Sequence, residues 1–374
     1  MNLPRDEYWM REAIKVARGG WGTTHPNPVV GAILADGDKC LSTGYHAKAG
    51  EPHAEVYALR GFEGGIPESA TLYVTLEPCS SVGRTGACTD AIREAGVKRV
   101  VVGALDNDPR HQGRGLDRLR EAGIAASAGV LEEECRDLNL LFHFRNQTGH
   151  PMIAAKVATT IDGRTAASSG ASRWITGEKA REDVHRWRRY FPAIAVGAGT
   201  VLADDPALTS RRGTSVFCPA RLVFDRSGRL AEKPDCRVLT DEYRERTAIF
   251  CGEEVFDGLR TVIPEDVKVE VLPNDPELRD SLRQWLVRHE LDGLFVEGGS
   301  ALFRELFATR TIDYLFAYRA PKLFLDNNAR PIASGWKLVS PGDAIQLEDC
   351  RHETFDSDQL IRGRVCYPGE RESL

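Results

Sequence analysis

The chain carries Gly50-Glu51-Pro52-His53-Ala54-Glu55 at the start of a predicted helix and Thr75-Leu76-Glu77-Pro78-Cys79 after a predicted strand. Cys88 follows Cys79 by nine residues. One histidine and two cysteines offer three ligands to zinc and leave a fourth position for water, as a catalytic zinc site requires. Zinc lowers the pKa of water, and Glu55 stands two residues from His53, where it can move protons. The pattern predicts His53, Cys79 and Cys88 as metal ligands and Glu55 as the catalytic residue.

This combination is typical of zinc deaminases, in which the glutamate is an acid/base and not a ligand. The second cysteine ordinarily stands three residues after the first, whereas Ser80 to Ala87 separate the two here. Gly83 and Gly86 would allow a tight loop that returns Cys88 to the metal. The alternative is that the three residues are unrelated and buried.

The rest of the chain has the composition of a globular protein with two or three domains. Of its 374 residues, 42% are hydrophobic and 28% charged, and the net charge is −6. We expect no nucleic acid as partner, because phosphate contacts favour basic surfaces. No apolar run is long enough for a membrane span, and the N-terminal segment is acidic without an apolar signal, so we expect a cytoplasmic protein. Nine cysteines without such a signal predict reduced thiols.

Strands alternate with helices along the chain, which predicts α/β architecture. In the first half we predict helices at 6–18, from 53, at 89–95, at 115–122 and from 131, with strands at 29–34, 41–45, 72–75, 99–104 and 124–128. In the second half we predict helices at 178–190, 279–289 and 300–307, with strands at 152–158, 193–197, 221–225 and 292–296. The polar segment 143–151 indicates a boundary between two α/β domains, residues 1–147 and 148–374.

The second domain has a candidate phosphate-binding motif, which is weaker than the zinc pattern of the first domain. Val296-Glu297-Gly298-Gly299-Ser300 is a predicted strand, a glycine turn and a helix start, which would expose backbone N–H groups to a phosphate. The stretch lacks the full G-x-G-x-x-G dinucleotide motif, so a plain turn is the alternative. Lys156 and residues 161–165, 172–176 and 199–206 accompany it.

Several motifs together resemble the family of bifunctional riboflavin-biosynthesis deaminase–reductases. They are Thr24-His25-Pro26-Asn27-Pro28, Gly44-Tyr45-His46, Ala49 to Glu55, Val74 to Cys79, and the long spacing to Cys88 through Gly83-Arg84-Thr85. The resemblance covers roughly residues 6–331. It implies an N-terminal cytidine-deaminase-like three-layer α/β/α domain and a C-terminal dihydrofolate-reductase-like α/β domain. The first would hydrolyse an amino group of a diaminopyrimidinone ribosylamino 5′-phosphate, and the second would reduce the ribosyl to the ribityl side chain with NADPH.

By matched position, the resemblance implies zinc on His53, Cys79 and Cys88, proton transfer by Glu55, and contact of Asn27 with the pyrimidine, where His46 also stands. The cofactor would be lined by Ala158, Trp174, Thr200, Asp204, Gly299, Ser300, Ala301, Leu302, Phe303, Arg304 and Glu305. The sugar phosphate would be lined by Lys156, Ser172, Arg188, Leu208, Arg211 and Glu297. Arg84 is a further phosphate partner on chemical grounds, because guanidinium binds phosphate through two donors.

The sequence departs from the family at three places. Ser81 and Val82 replace a histidine that helps to hold substrate and a second histidine or aromatic residue, and Gly86-Ala87 replaces Pro-Pro. Arg226 stands where the family commonly has serine after a strand-end aspartate. Our hypothesis is that Arg226 reaches the 2′-phosphate of NADPH.

Three alternatives remain open on sequence alone. The first is a zinc deaminase acting on another nucleoside or base, and the second is a structural zinc site with a binding module behind it. The third is a diverged paralogue in which only the reductase is active. For the preferred function we expect one zinc ion, NADPH, a small pyrimidine ribosyl phosphate as substrate, no membrane, and a homo-oligomer.

Overall fold

The structure is a computed structural model that describes residues 3–80, 86–108, 111–212, 215–273, 277–335 and 338–369. Contacts divide the chain into two units, Met1–His150 and Pro151–Leu374, and each is described by itself. None of the helices in the described ranges combines the length and the apolar character needed to cross a membrane.

The first unit is built on one five-stranded sheet. Its strands are β1 Gly31–Asp36, β2 Lys39–Tyr45, β3 Thr71–Leu76, β4 Arg99–Ala104 and β5 Ala125–Ala128. The order across the sheet is β2-β1-β3-β4-β5, with β1 antiparallel to β2 and β3, and with β3, β4 and β5 parallel. The helices are α1 Leu3–Ala17, α2 Ala54–Arg60, α3 Cys88–Glu94, α4 Arg114–Glu121, α5 Glu132–Leu138 and α6 Leu140–Thr148, with a 3-10 turn at Arg18–Gly20.

Strand β3 shows why this sheet has helices on both faces. Every residue of Thr71–Leu76 is buried, as expected for a strand covered on both sides. Leu72 and Val74 pack into the core with residues of α2, α3 and α4, whereas Tyr73 packs into the opposite core with residues of α1 and α5. The predicted three-layer α/β/α arrangement is therefore confirmed.

One glycine fixes the position of α2, which begins directly after His53. A Cβ atom on Gly44 in β2 would lie 2.3 Å from the Ala54 carbonyl oxygen, so only glycine lets α2 pack this closely against the sheet.

The second unit contains a nine-stranded sheet. Its strands are β6 Met152–Thr159, β8 Ala193–Gly197, β11 Ala220–Phe224, β12 Thr247–Cys251, β13 Lys268–Val271, β14 Gly293–Val296, β15 Tyr314–Arg319, β17 Gln346–Phe355 and β18 Asp358–Cys366. Their order is β13-β12-β11-β8-β14-β6-β15-β18-β17, in which the first seven are parallel and the last two form an antiparallel hairpin. Two small sheets pair β7 Arg164–Ala166 with β16 Arg330–Pro331 and β9 Ser210–Arg212 with β10 Ser215–Phe217.

The helices of this unit cover a sheet whose central strands are apolar on both faces. They are α7 Glu178–Tyr190, α8 Ala198–Asp204, α9 Arg237–Thr240, α10 Glu253–Val262, α11 Leu278–Arg288 and α12 Ser300–Ala308, with 3-10 turns at Arg229–Glu232, Arg244–Arg246 and Pro341–Asp343. The α/β architecture predicted for the second half is confirmed.

Two differences from the sequence analysis have physical reasons. The polar segment expected between the halves is helical as far as Thr148, and Gly149 ends the helix with a φ of 76°. Strands β12, β13, β15, β17 and β18 were not predicted. β17 has no buried residue, and β18 places the charged residues Asp358 and Arg362 at buried positions, so hydrophobic periodicity gives little signal in either strand.

Candidate functional site

Three potential metal ligands converge at the carboxyl end of β3. His53 is the residue before α2, Cys79 follows β3 after a two-residue link, and Cys88 is the first residue of α3. The Nδ1 atom of His53 lies 3.1 Å from Cys88 Sγ and 3.6 Å from Cys79 Sγ, and the three donor atoms all lie within 4.8 Å of one another. The structure thus brings together the three ligands expected from the sequence.

The electrostatics of this cluster suit a metal cation. Hydrogen bonding from the Cys88 thiol, together with the Cys88 backbone N–H at 3.3 Å and His53, lowers the pKa of Cys79 to about 4 despite burial. Hydrogen bonding with Cys79 raises the pKa of His53. A nitrogen and two sulfur donors form a set that zinc prefers, and thiolate is the form that binds it. These residues therefore fit a zinc ion.

Glu55 lies in the first turn of α2, directly beside this cluster. Its side chain is buried, and its Oε2 atom has no hydrogen-bond partner among the residues that the structure describes. Burial raises the pKa of Glu55 to about 7. A buried carboxyl group with an unused oxygen and a pKa near neutrality can both accept and donate a proton.

A cavity of about 370 Å³ opens onto Glu55, His53 and Cys79. Asn27 and His46 line it as expected, with Asn27 Nδ2 3.2 Å from His46 Nε2. Because His46 Nδ1 lies 3.1 Å from the Pro52 carbonyl oxygen and donates to it, Nε2 is left as the acceptor for the Asn27 amide. Asn27 is thus held in one orientation at the cavity wall.

Sequence reasoning missed other residues of this cavity, namely Asp106, Asp108, His111, Phe142 and Asn146. Asp106 and Asp108 follow the carboxyl end of β4, the parallel neighbour of β3, and ligands bind at such ends. Polar residues directly after the predicted strand at 99–104 were the available signal. Arg84, Ser81 and Val82 lie outside the described residues.

Sequence reasoning also missed a role for Glu77, which stands two residues before Cys79. Glu77 lines the cavity and anchors the segment that carries Cys79. Its carboxylate accepts hydrogen bonds from the backbone N–H groups of Asp106, Gly113 and Gly115 at 3.2, 2.9 and 2.8 Å. Backbone N–H groups at a helix start are otherwise unpaired, and a carboxylate there is stabilised by the helix dipole. Glu77 therefore joins the end of β3 to the beginning of α4.

In the second unit, Lys156, Arg188 and Glu297 meet in a largely buried cluster, with side-chain exposures of 18%, 19% and 11%. Arg188 donates from Nε and Nη2 to the two carboxylate oxygens of Glu297 at 2.5 and 2.9 Å, and Lys156 Nζ lies 3.7 Å from Glu297 Oε2. Burial would raise the pKa of Glu297, but Arg188 and Lys156 outweigh it and lower the pKa to about 2. Burial lowers the pKa of Lys156.

His185 stands next to this cluster and was not predicted. Burial, with the charges of Arg188 and Arg211, lowers its pKa to about 4, so it is neutral at pH 7. The backbone N–H of Arg211 lies 3.3 Å from His185 Nδ1, which places β9 beside α7. The available signal for His185 was its position three residues before Arg188 on the predicted helix, which places the two side chains on the same helix face.

A second cavity, of about 970 Å³, lies at the carboxyl ends of β8 and β11. Its walls include Gly197 and Gly199, residues 224–227, and the first turns of α12. Ala301, Leu302, Arg304 and Glu305 line it, as expected for a cofactor site, and Gly299 immediately precedes α12. The carboxyl ends of parallel strands are where nucleotides bind in such sheets.

Other predicted residues are placed elsewhere. Phe303 is buried in the core, Leu208 is buried with a positive φ, and Ala158 lies within β6. Ser300 donates to the Pro331 carbonyl oxygen, and Thr200 faces Gly299 from α8. Trp174 is 63% exposed beneath the Arg181 guanidinium, Ser172 is half-buried, and Asp204 pairs with Arg173 at 3.4 Å.

Arg226 lines the large cavity but is already engaged. Its Nε and Nη2 atoms donate to Glu305 Oε1 at 3.0 and 2.7 Å, and its other bonds go to the carbonyl oxygens of Leu272 and Pro273.

Known proteins resemble this chain over nearly its whole length. Two family profiles match, "Cytidine and deoxycytidylate deaminase zinc-binding region" over residues 3–104 and "RibD C-terminal domain" over residues 151–361. The riboflavin biosynthesis protein RibD of Escherichia coli (strain K12) is 38% identical over 367 residues, covering 93% of this chain and 96% of that protein. RibD of Aquifex aeolicus (strain VF5) is 39% identical over 318 residues, covering 85% and 87%.

Solved structures agree with these relatives. A diaminohydroxyphosphoribosylaminopyrimidine deaminase/5-amino-6-(5-phosphoribosylamino)uracil reductase from Thermotoga maritima superposes with a TM-score of 0.80 at 34% identity, covering 98% of this chain and all of that one. RibD of Acinetobacter baumannii gives a TM-score of 0.75 at 34% identity with the same coverage. The fold class predicted for both halves is confirmed.

Proposed function

The chain belongs to the RibD family of bifunctional deaminase/reductases of riboflavin biosynthesis, and on that premise we propose which residues carry out its two reactions. In this proposal, residues 1–147 deaminate 2,5-diamino-6-ribosylamino-4(3H)-pyrimidinone 5′-phosphate, and residues 148–374 reduce the ribosyl side chain with NADPH. The alternatives of another deaminase substrate or of a reductase alone are not favoured, because the Thermotoga maritima deaminase/reductase matches nearly the whole chain.

The deaminase would hold one zinc ion on His53, Cys79 and Cys88. The observation that carries this proposal is the convergence of the three donor atoms within 4.8 Å beside the buried Glu55. Zinc bound there would supply Lewis acidity toward water. Glu55 takes the proton that water loses and returns it to the departing amino group, and a pKa near 7 suits both transfers. Asn27, held by His46, contacts the pyrimidine.

The reductase would bind NADPH at the large cavity, where Ala301, Leu302, Arg304 and Glu305 line the wall. The other cofactor residues implied by the resemblance lie outside that wall: Ala158, Trp174, Thr200, Asp204, Gly299, Ser300 and Phe303. NADPH bound there would supply hydride to C1 of the ring-opened ribosyl group. Lys156 and Glu297 contact the ribose hydroxyls. Lys156 delivers the accompanying proton, because Glu297 is already ionised at pH 7. Arg188 and Arg211, with Ser172 and Leu208, line the sugar phosphate, and Arg84 contacts the phosphate in the deaminase. A homo-oligomer and a cytoplasmic location remain predictions.

Ammonia release by zinc-loaded protein, with NADPH withheld, tests the deaminase assignment. We expect release from the diaminopyrimidinone substrate, and a loss of about 10²- to 10⁴-fold in Glu55→Gln, the range for a general acid/base. Zinc content and NADPH oxidation with the deaminated product should be unchanged. Glu51→Gln is the matched control, because Glu51 is an exposed carboxylate just before the motif. No release by the wild type with zinc bound would overturn the assignment.

A further inference from the structure

Two charged side chains in the large cavity are paired with each other. Arg226 follows β11 by two residues, Glu305 lies on α12, and both line the cavity. Both are half-buried, with side-chain exposures of 24% and 29%, so their ion pair is shielded from water more than a surface pair. Their charges cancel where the cavity would meet an anionic ligand.

The two residues would favour different coenzymes, because they interact differently with the 2′ position of the adenosine ribose. In nucleotide-binding α/β folds an acidic side chain accepts a hydrogen bond from the 2′-hydroxyl, whereas arginine accommodates a 2′-phosphate. Guanidinium also binds phosphate through two parallel donors, which no lysine can match. Here an acidic residue and an arginine line the same cavity, and they form an ion pair with each other.

We propose that the Arg226–Glu305 pair sets the discrimination between 2′-phosphorylated and unphosphorylated coenzyme. A 2′-phosphate binds Arg226 only by displacing the Glu305 carboxylate, and Glu305 repels that phosphate. The bonds of Arg226 to the Leu272 and Pro273 carbonyl oxygens keep its guanidinium at the cavity during the exchange. This inference rests on the proposed use of a nicotinamide coenzyme and goes beyond the hypothesis that Arg226 acts alone.

The other charged residues at the cavity do not account for this selectivity in the same way. Asp225 is buried, and its carboxylate accepts the backbone N–H groups of Arg229 and Leu230 at 2.9 and 2.8 Å. Arg229 and Arg304 are exposed at the rim and form no ion pair with the described residues. They attract any phosphate, whereas Arg226 alone is coupled to a carboxylate that a 2′-phosphate must replace.

Binding of two nucleotides that differ only in the 2′-phosphate tests the proposal without any reaction. The probes are adenosine 2′,5′-bisphosphate and adenosine 5′-monophosphate, and the measured quantity is the ratio of their Kd values by calorimetry on the full-length protein. We expect Arg226→Ala to lower the preference for the bisphosphate about tenfold and Glu305→Gln to raise it about tenfold, as for one charge-assisted hydrogen bond. In the double variant most of the gain from Glu305→Gln should disappear.

The same four proteins are then compared by kcat/KM with NADPH and NADH, where the ratio should move in the same directions. Asp266→Asn, which breaks the exposed pair of Arg244 and Asp266, is the matched control and should leave both ratios unchanged. If the alanine variant unfolds, Arg226→Lys replaces it, because it keeps the positive charge. This lysine variant should prefer the bisphosphate more strongly than the double variant does.

Unchanged ratios in Arg226→Ala and Glu305→Gln would overturn the inference and assign the 2′-phosphate to Arg229 or Arg304. If the wild-type protein reduces substrate with NADPH while both variants keep its ratios, the proposed function stands and only this inference fails. Wild-type protein that binds neither the probes nor either coenzyme would overturn both.

Discussion

Glu297 carries a negative charge into the interior of the reductase unit and is held there by two cations. The bidentate bond from Arg188 and the ammonium group of Lys156 compensate the loss of water around its carboxylate. Removing one partner of a buried ion pair costs more than the pair contributes, because the remaining charge stays buried without compensation.

Glu297→Gln therefore leaves Arg188 and Lys156 without an anion. We expect the free energy of unfolding to fall by about 3 kcal/mol and reductase turnover to be largely lost. Urea unfolding at pH 7 measures the first effect, and NADPH oxidation measures the second. Glu245→Gln, at an exposed position of the same unit, is the control. Stability equal to that of the control would contradict a charge-compensating role for Glu297.

The sequence alone could indicate Lys156, Arg188 and Glu297 individually, but it could not show that their side chains lie in contact. Lys156 and Glu297 are neighbours because β14 pairs in parallel with β6, with Val296 opposite Ala155. The two strands are far apart along the chain, and the pairing depends on a strand order that no local pattern encodes. By contrast, His53 and Glu55 are two residues apart at a helix start, so their proximity could be predicted directly.

At the scale of elements, helix α1 is fastened to the sheet by a buried carboxylate in its first turn. Asp6 accepts two hydrogen bonds from Arg99 on β4, at 2.9 and 2.7 Å, and one from the Tyr73 hydroxyl on β3 at 2.9 Å. Burial would raise the pKa of Asp6, but the bonds from Arg99 and Tyr73 prevail and lower it. Burial and Asp6 raise the pKa of Tyr73 to about 12.

A lowered pKa in the folded state has a definite consequence for stability. The charged form of Asp6 stabilises the fold above the pKa of the unfolded chain, about 3.9, and this contribution disappears as the pH falls through the lower pKa of the folded state. Asp6→Asn should lose about 3 kcal/mol at pH 7 and show a shallower decline of stability below about pH 4. Urea unfolding between pH 7 and pH 2 measures both. Equally steep declines in the two proteins would contradict this role.

The positions of helices were predicted well where a local sequence motif marks the start of the helix. The starts of α2 and α12 follow from a motif and from a glycine turn, and the structure confirms both. The C-terminal hairpin of β17 and β18 was missed, because β17 has no buried residue and β18 buries the charged side chains of Asp358 and Arg362. Glu77 was missed for another reason: its partners are backbone N–H groups, which leave no trace in the choice of side chains.

At the scale of the whole molecule, the two predicted chemistries use separate residues. The His53, Cys79 and Cys88 cluster lies entirely in the first unit, and within the described ranges it is the one group of this kind. The cavity at β8 and β11 belongs entirely to the second unit.

Treatment with 1,10-phenanthroline should therefore abolish ammonia release and leave NADPH oxidation with the deaminated substrate at its original rate. Restoring zinc should restore ammonia release. Parallel assays of one chelated sample measure both activities, and dialysis without chelator is the control. A fall in NADPH oxidation that follows the loss of zinc would show that the second reaction also depends on the metal.

The bonds of Glu77 have a consequence for how the enzyme acquires its metal. Because the carboxylate joins the end of β3 to the start of α4 through backbone groups, Cys79 is carried by a segment already fixed before any ion arrives. The position of Cys79 is thus supported by hydrogen bonds that do not involve the metal. We therefore expect little ordering entropy to be lost when zinc binds, and the first unit to stay folded after zinc is removed.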